Sequence, residues 1–279
     1  MFEGIIENVR TNSPLVHCIT NYVTVNDVAN MVLAIGASPI MADDEKDAVD
    51  ITAICTGLDI NIGTLNSRTI KTMYKAGKRA NELNHPVILD PVGAGASKLR
   101  TQTTLGLINK IHFDVVRGNV SEIKTIYNGS GKTSGVDASI EDVVTDKNLM
   151  DSVAFAKNLS KKLNTIIAIT GAIDIVTDGN KSYVIRNGHP LMSRITGSGC
   201  MLTAVIDAFI CANPDRKLDA TACAVSVMGI CGQKAFEKGK AKSGSDESCG
   251  TGTFRALMID EMSLMTSSKF EENKKIEIL

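Results

Sequence analysis

The stretch Arg194-Ile195-Thr196-Gly197-Ser198-Gly199-Cys200 runs directly into the apolar segment Met201-Leu202-Thr203-Ala204-Val205-Ile206. Two glycines let a backbone come close to a ligand, and a helix that starts there aims free N–H groups and the positive end of its dipole at whatever lies in front. An anion is the natural occupant, although a ligand-free tight turn into a helix can carry the same residues. A second glycine-rich turn, Asp90-Pro91-Val92-Gly93-Ala94-Gly95-Ala96-Ser97, leaves an apolar run that ends in an acid. Lys98 stands where a dinucleotide-binding G-x-G-x-x-G needs its last glycine, so that reading is not supported. Asp90 has another use, because phosphoryl transfer requires magnesium held against phosphate oxygens by one or two carboxylates plus water. Glu122, in Arg117-Gly118-Asn119-Val120-Ser121-Glu122, is the candidate for the second carboxylate. Taken singly, Asp90 also reads as a turn or cap residue and Glu122 as a first-turn helix acid.

Other patterns point away from competing chemistries. Gly129-Ser130-Gly131-Lys132-Thr133 looks like the end of a P-loop, but Ile126 stands where the full pattern places a glycine, and a helical segment precedes it instead of a strand. We read it as a solvated loop. None of the four histidines pairs with a serine or acid in a hydrolytic pattern, and His17, in an apolar run, reads as a satisfied core group. No G-x-S-x-G occurs, so acyl transfer is disfavoured.

The elements that must position these residues alternate between helical and extended patterns, which predicts a mostly parallel sheet covered by helices. Buried strands are expected at Pro86 to Asp90, Phe113 to Arg117 and Thr165 to Thr170, with amphipathic helices at Ser67 to Leu83 and Leu149 to Leu163. Such sheets bind ligands at the carboxyl ends of their strands, which singles out Asp90, Arg117 and Thr170. Ile173 to Thr177 and Lys181 to Arg186, joined by Asp178-Gly179-Asn180, predict an antiparallel hairpin at the sheet edge. From Ser198 onward the chain reads as helices with a polar break from Lys238 to Gly252, and the charge-rich tail Lys269 to Leu279 is expected to dock loosely or fray.

With 279 residues, one domain over the whole chain is expected. The formal charge of −1 and scattered basic residues leave no footprint for nucleic acid or an anionic membrane, so a small molecule is the expected partner. No run approaches the roughly 18 uncharged apolar residues of a membrane span, and the start does not read as a signal peptide. The seven cysteines are odd in number and include no C-x-x-C pair, which argues for reduced thiols and against a zinc site. A cytoplasmic location is expected.

Taken together, six short motifs in register resemble hydroxyethylthiazole kinase, a member of the ribokinase-like fold. They are Pro14 to Val23, Gly36 to Met41, Asn61 to Leu65, Asp90 to Ala96, Arg117 to Glu122 and Thr196 to Met201, with Gly250 to Arg255 fitting as well. The resemblance implies a three-layer α/β/α fold with a mostly parallel sheet, antiparallel edge strands, a helical C-terminal part and no β lid. It implies a cytoplasmic homotrimer, with active sites between subunits, that transfers the γ-phosphate of ATP to the primary hydroxyl of 4-methyl-5-(2-hydroxyethyl)thiazole with magnesium. By position, Asn21, Met41 and Gly197 would line the thiazole pocket; Arg117, Asn119, Thr170 and Gly199 would face ATP; Asp90 and Glu122 would hold Mg2+. Cys18 stands where Asn is common in the family, and Ser97 where Thr is common.

Cys200 takes the position at which ribokinase-like sugar kinases carry an aspartate, the base for the accepting hydroxyl. A free thiol of pKa about 8.5 is weakly ionised at neutral pH, but a helix N-terminus is expected to lower that value, and a loose transition state does not need a strong base. Two alternatives accompany this reading. One is another ribokinase-like enzyme, a kinase of a different small alcohol or an ATP-dependent dehydratase of hydrated nicotinamide cofactors; the other is a non-catalytic thiazole- or thiamine-binding protein. The short stretch from Asn26 to Met41 leaves no room for the early β lid of sugar kinases, which favours a compact, apolar acceptor.

Overall fold

A computed structural model describes residues 1–129, 143–243 and 249–279. The chain opens with α1 (Ile5–Asn12), β1 (Leu15–Ile19), α2 (Val25–Ile35), β2 (Ser38–Ile40), α3 (Ala48–Ile54), β3 (Gly57–Asn61), α4 (Ser67–Glu82) and β4 (Val87–Asp90). It continues through α5 (Lys98–Ile108), β5 (Val115–Gly118), α6 (Val120–Gly129), α7 (Leu149–Leu163) and β6 (Ile166–Ile169), then the hairpin β7 (Asp174–Thr177) and β8 (Ser182–Ile185). The helices α8 (Ser198–Ala212), α9 (Lys217–Ser243), α10 (Thr251–Ser263) and α11 (Ser267–Asn273) precede a last strand, β9 (Ile276–Ile278).

Among the described residues the strands form one nine-stranded sheet in the order β2-β1-β3-β4-β5-β6-β7-β8-β9. Pairings from β2 to β6 are parallel, and those from β6 to β9 antiparallel. The period-two alternation of strand side chains divides the core into two layers. Val16, Cys18, Ile88, Val115 and Ala168 pack with α1, α2 and α8 to α11 on one face, whereas Leu58, Ile60, Leu89, Val116 and Ile167 pack with α4, α6 and α7 on the other. This is the three-layer arrangement expected, with the hairpin on its antiparallel side and β9, not the hairpin, as the edge strand.

Local chemistry fixes where the helices begin. Asn66 caps α4 through the backbone N–H groups of Arg68 and Thr69, and Ser97 caps α5 through that of Arg100. In α6, Asn119 Oδ1 accepts from the Glu122 N–H at 2.9 Å while Glu122 Oε2 accepts from the Asn119 N–H at 2.8 Å, a reciprocal capping box. α8 differs. Its N-cap is Gly197, held at φ +82°, with no side-chain cap, so its first N–H groups stay open.

Two expectations about the C-terminal part need correction. The polar break from Lys238 is not one at its start, because α9 continues to Ser243 and the Lys238 ammonium reaches the fully buried carboxylate of Glu261 on α10. Nor does the charged tail fray: Phe270 of α11 is buried edge-on against Phe2 at 5.4 Å, and β9 pairs with β8, with Ser182 and Leu279 exchanging N–H···O bonds of 3.0 and 2.9 Å. The abundance of lysine and glutamate hides these few apolar anchors from a composition-based reading. The P-loop look-alike from Ser130 to Thr133 lies outside the described residues. His17 is buried as expected, with Nδ1 2.9 Å from Thr52 Oγ1 and Nε2 donating to the Ala42 carbonyl at 2.8 Å.

Glu261 ties three helices together. Burial opposes its charge, but Lys238 and Lys269, the latter at 2.9 Å, overcome that cost and hold the carboxyl below its ordinary value. A depressed carboxyl contributes stability that is full above its unfolded value near 4.5 and is lost as pH falls through the lower folded value. Glu261→Gln is expected to lower unfolding free energy at neutral pH by about 1–3 kcal/mol, measured by urea denaturation, with the difference from wild type vanishing in acid.

Candidate functional site

The carboxyl ends of the parallel strands converge under the start of α8. β3 ends in Asn61 and β4 in Asp90, which stand opposite one another in register; β5 presents Arg117, and Thr170 follows β6. Asp90 is fully buried. Its Oδ2 accepts from Asn61 Nδ2 at 2.7 Å and from the Thr203 hydroxyl at 3.1 Å, whereas Oδ1 has no hydrogen-bond donor and faces Arg117 Nη1 at 3.6 Å. Burial pushes the Asp90 carboxyl up to about 6, against the pull of Arg117 and of its two donors and with a further upward push from Glu122.

Arg117 is itself held, with Nη2 donating to Thr170 Oγ1 at 2.6 Å. Its guanidinium lies flat against the glycine turn, so that a Cβ on Gly199 would come within 2.4 Å of Nη1. Gly197 is constrained twice, by its positive φ and by Thr24 Cγ2, which would lie 2.4 Å from an added Cβ. Cys200, in the first turn of α8, is 8% exposed and accepts from Asn21 Nδ2 at 3.2 Å. The helix start does not prevail here as expected: burial and the nearby Asp90 push this thiol up, and hydrogen bonds from Asn61, Asn21 and Thr24 only partly offset them.

Two cavities open near these residues. One, of about 150 Å³, is lined by Met41 with Cys18, Ile19, Tyr22, Asn61 and Met73, among others. The other, of about 550 Å³, joins Arg117, Thr170, Ser198 and Gly199 to an apolar end that includes Val225 and Met228. Asp174 lines the second and was not singled out in the sequence. Burial pushes it up to about 7, tempered by the Gly171 N–H at 2.8 Å and by Arg117.

Most of the residues singled out in the sequence therefore meet in one place, but two have structural partners that the sequence did not reveal. Glu122 Oε1 accepts from the Gly93 N–H at 2.8 Å, so this carboxylate joins the turn after β4 to the start of α6 besides closing the capping box. Asn119 is exposed, and its side-chain oxygen is the helix cap. Asn21 is 4% exposed and directs its amide at Cys200 and Asn61. Asn61 and Thr203 were missed. Asn61 closes a strand as Asp90 does but carries no charge, and Thr203 sits inside an apolar run, where only the helical spacing from Gly199 could have flagged it.

The donor set suits a hard cation. Asp90 Oδ1 is buried and lacks a donor, the Glu122 carboxylate stands nearby, and among the described residues no group of three or more His, Cys, Asp or Glu side chains could hold a metal alone. Two carboxylates would leave the remaining ligands of such an ion to water and phosphate oxygens.

A mostly parallel sheet with a glycine-started helix over a carboxylate and an arginine defines the ribokinase-like class, and comparison supports that placement. The chain is similar to a ribokinase-like superfamily protein from Enterococcus faecalis, with a TM-score of 0.60 at 11% identity over 93% of this chain and 88% of that one, a likeness of fold. The Hydroxyethylthiazole kinase family model matches residues 6–268. A hydroxyethylthiazole kinase of Clostridium acetobutylicum is 53% identical over 277 residues, 99% of each chain. The solved hydroxyethylthiazole kinase protein of Pyrococcus horikoshii superposes with a TM-score of 0.87 at 33% identity, over 100% of this chain and 98% of that one. The chain belongs to the hydroxyethylthiazole kinase family.

Because Arg117 packs against the bare Cα of Gly199, Gly199→Ala is expected to displace the guanidinium by about an ångström and to lower kinase kcat/KM by roughly 100-fold. Steady-state kinetics checks this, with the thermal midpoint expected to stay within a few degrees of wild type.

Proposed function

We propose that the protein transfers the γ-phosphoryl group of ATP to the primary hydroxyl of 4-methyl-5-(2-hydroxyethyl)thiazole, a step of thiamine synthesis or salvage. The observation that carries this reading is the open N-terminus of α8, where Cys200 meets Asn21, the residue between Thr20 and Tyr22 of the small cavity, while Ser198 and Gly199 line the large one. The thiazole ring occupies the small cavity against Met41, with Asn21 and Gly197 beside it. ATP occupies the large one, its phosphates reaching Arg117, Thr170 and Gly199, with Asn119 near the phosphate end. Ile19, Val25, Met41 and Met73 in the lining of the small cavity suit the carbon and sulfur atoms of a thiazole ring.

Asp90 and Glu122 would hold Mg2+, directly or through water, and the ion would supply positive charge to offset the negative charge that builds up during transfer. The rest falls to the chain's own groups. Arg117 places a fixed positive charge at the large cavity, and the open N–H groups of Ser198 to Cys200 provide an anion cradle that is already oriented. Cys200 Sγ orients the accepting hydroxyl. As the hydroxyl oxygen bonds to the γ-phosphorus and the bond from phosphorus to the β–γ bridging oxygen breaks, leaving its electron pair on ADP, the hydroxyl proton passes to Cys200 Sγ in its thiolate form, and the resulting thiol returns that proton to solvent before the next turnover. Because the transition state is loose, the small thiolate fraction of a thiol with raised pKa is adequate when positioning and charge neutralisation supply most of the rate.

The proposed assembly is a homotrimer with sites between subunits. Support comes from Tyr22, 78% exposed at the small cavity, and its neighbour Val23, 57% exposed, an apolar pair that a neighbouring subunit would cover. A cytoplasmic location is consistent with seven free cysteines and with the finding that, among the described residues, no helix is long and apolar enough to cross a membrane.

The deciding experiment is ADP release with ATP and magnesium, with and without hydroxyethylthiazole, and mass spectrometry of the product. Stimulated release with a product one phosphoryl group heavier is expected. Absence of stimulation would redirect the reading to another small alcohol or a hydrated cofactor, and absence of any ATP turnover to a binding protein. In the same assay Cys200→Ser is expected to lower kcat by about 10- to 100-fold and Cys200→Asp to retain or exceed wild-type turnover; unchanged turnover in the serine variant would remove the sulfur from proton transfer.

A further inference from the structure

Asn61 has no role in the scheme above, yet it is the joint between Asp90 and Cys200. Its Nδ2 donates to Asp90 Oδ2 at 2.7 Å, and its Oδ1 accepts from the Gly63 N–H at 2.8 Å and from Asn21 Nδ2 at 3.1 Å. The same Asn21 nitrogen donates to Cys200 Sγ at 3.2 Å, while Asn21 Oδ1 accepts from the Thr24 hydroxyl at 3.0 Å.

The direction of this chain is set from its ends. A backbone N–H can only donate and an ionised carboxylate can only accept, so Gly63 and Asp90 leave the Asn61 amide one orientation. With its oxygen turned toward Asn21, Asn61 requires an N–H there, and that choice sends the second proton of the same nitrogen to the sulfur. Thr24, whose hydroxyl can donate or accept, follows that orientation by donating to Asn21 Oδ1. Gly63 admits the arrangement because it has no side chain: a Cβ there would stand 2.8 Å from Asn21 Nδ2. Both amides are buried, Asn61 at 1% and Asn21 at 4% exposure, so water does not compete for these bonds.

We infer that Asn61 is a positioning residue for Cys200: acting through Asn21, it keeps an N–H donor on the sulfur, favours the thiolate and holds the reactive atom in place beside the acceptor pocket. The inference rests on the reading in which Cys200 acts on the acceptor hydroxyl. The Asn21 N–H on the sulfur opposes the upward push that burial and Asp90 exert on this thiol, and Asn61 and Thr24 act in the same direction. Asp90 is the charged group acting on the sulfur, and it is in turn influenced by Arg117 and Glu122.

The test is the ultraviolet absorbance of the Cys200 thiolate, followed with pH in magnesium-free buffer as the difference between each protein and its Cys200→Ser counterpart, alongside steady-state kinetics. Asn61→Ala is expected to leave roughly tenfold less thiolate at a given pH and to lower kcat about tenfold with KM for both substrates within about twofold. Thr24→Val keeps the side-chain shape if the alanine variant does not fold, and it is expected to reduce thiolate about threefold by freeing the Asn21 amide. A Cys200 titration that neither substitution moves would overturn the inference. So would an Asn61→Ala variant with wild-type kcat. Because the titration uses ligand-free protein, it reports on the relay even if the wild-type protein phosphorylates no thiazole, and the two failures remain distinct.

Discussion

The buried carboxylate of Asp90 is the constraint around which the site is built. Removing a carboxylate from water costs several kcal/mol unless donors or a cation replace the water. Here Oδ2 has two donors and Oδ1 none, with the guanidinium of Arg117 3.6 Å away. The result is a group poised between protonated and charged near pH 6. Its folded value lies above the unfolded 3.8, so its contribution to stability is fully present below that value and is lost as pH rises through the folded value. A cation at Oδ1 would return part of what is lost, which is the economy of a binding site.

Neighbouring residues follow from that choice. Arg117 must lie close enough to moderate the charge, which requires Gly199 to have no side chain and Thr170 to anchor the other guanidinium nitrogen. Thr203 reaches Asp90 from α8, its one hydroxyl proton shared between Asp90 Oδ2 and the Gly199 carbonyl at 3.2 Å, so the helix that carries the glycine turn is tied to the carboxylate beneath it. The polar seam continues below: Asp59 and Asp207 are fully buried on the α8 side of the sheet, both pushed far above the carboxylate range by burial, and the bare Cα of Gly57 leaves room for Asp207 and Cys211. Polar residues at every fourth position of α8 thus face a sheet whose other layer is almost wholly apolar.

The fold was legible wherever one period governed a segment. The helices at Ser67 and Leu149, the strands ending in Asp90 and Arg117, and the Asp178-Gly179-Asn180 hairpin all stand close to where periodicity puts them, since burial of alternate or every third and fourth side chain dictates local conformation. The tail was not legible, because two isoleucines and one phenylalanine amid charged residues become a strand and a helix only when β8 offers an open edge and Phe2 a partner. Glu122 is an intermediate case: a first-turn acid in the sequence, it is in three dimensions also the clamp on Gly93.

By itself the sequence determined the class of chemistry, because an acid closing an apolar strand, an arginine closing the next and a Gly-x-Gly-Cys helix start are each local consequences of residue type. It also determined the family, through motifs held in order along nearly the whole chain. Only the tertiary structure decided how those motifs speak to one another. That Asn61 joins Asp90 to Asn21 and so to Cys200, and that burial raises the thiol despite its place at a helix start, depend on contacts between residues up to 179 positions apart. Hydrogen-bond direction and desolvation are properties of a three-dimensional neighbourhood, and no spacing along a chain encodes them.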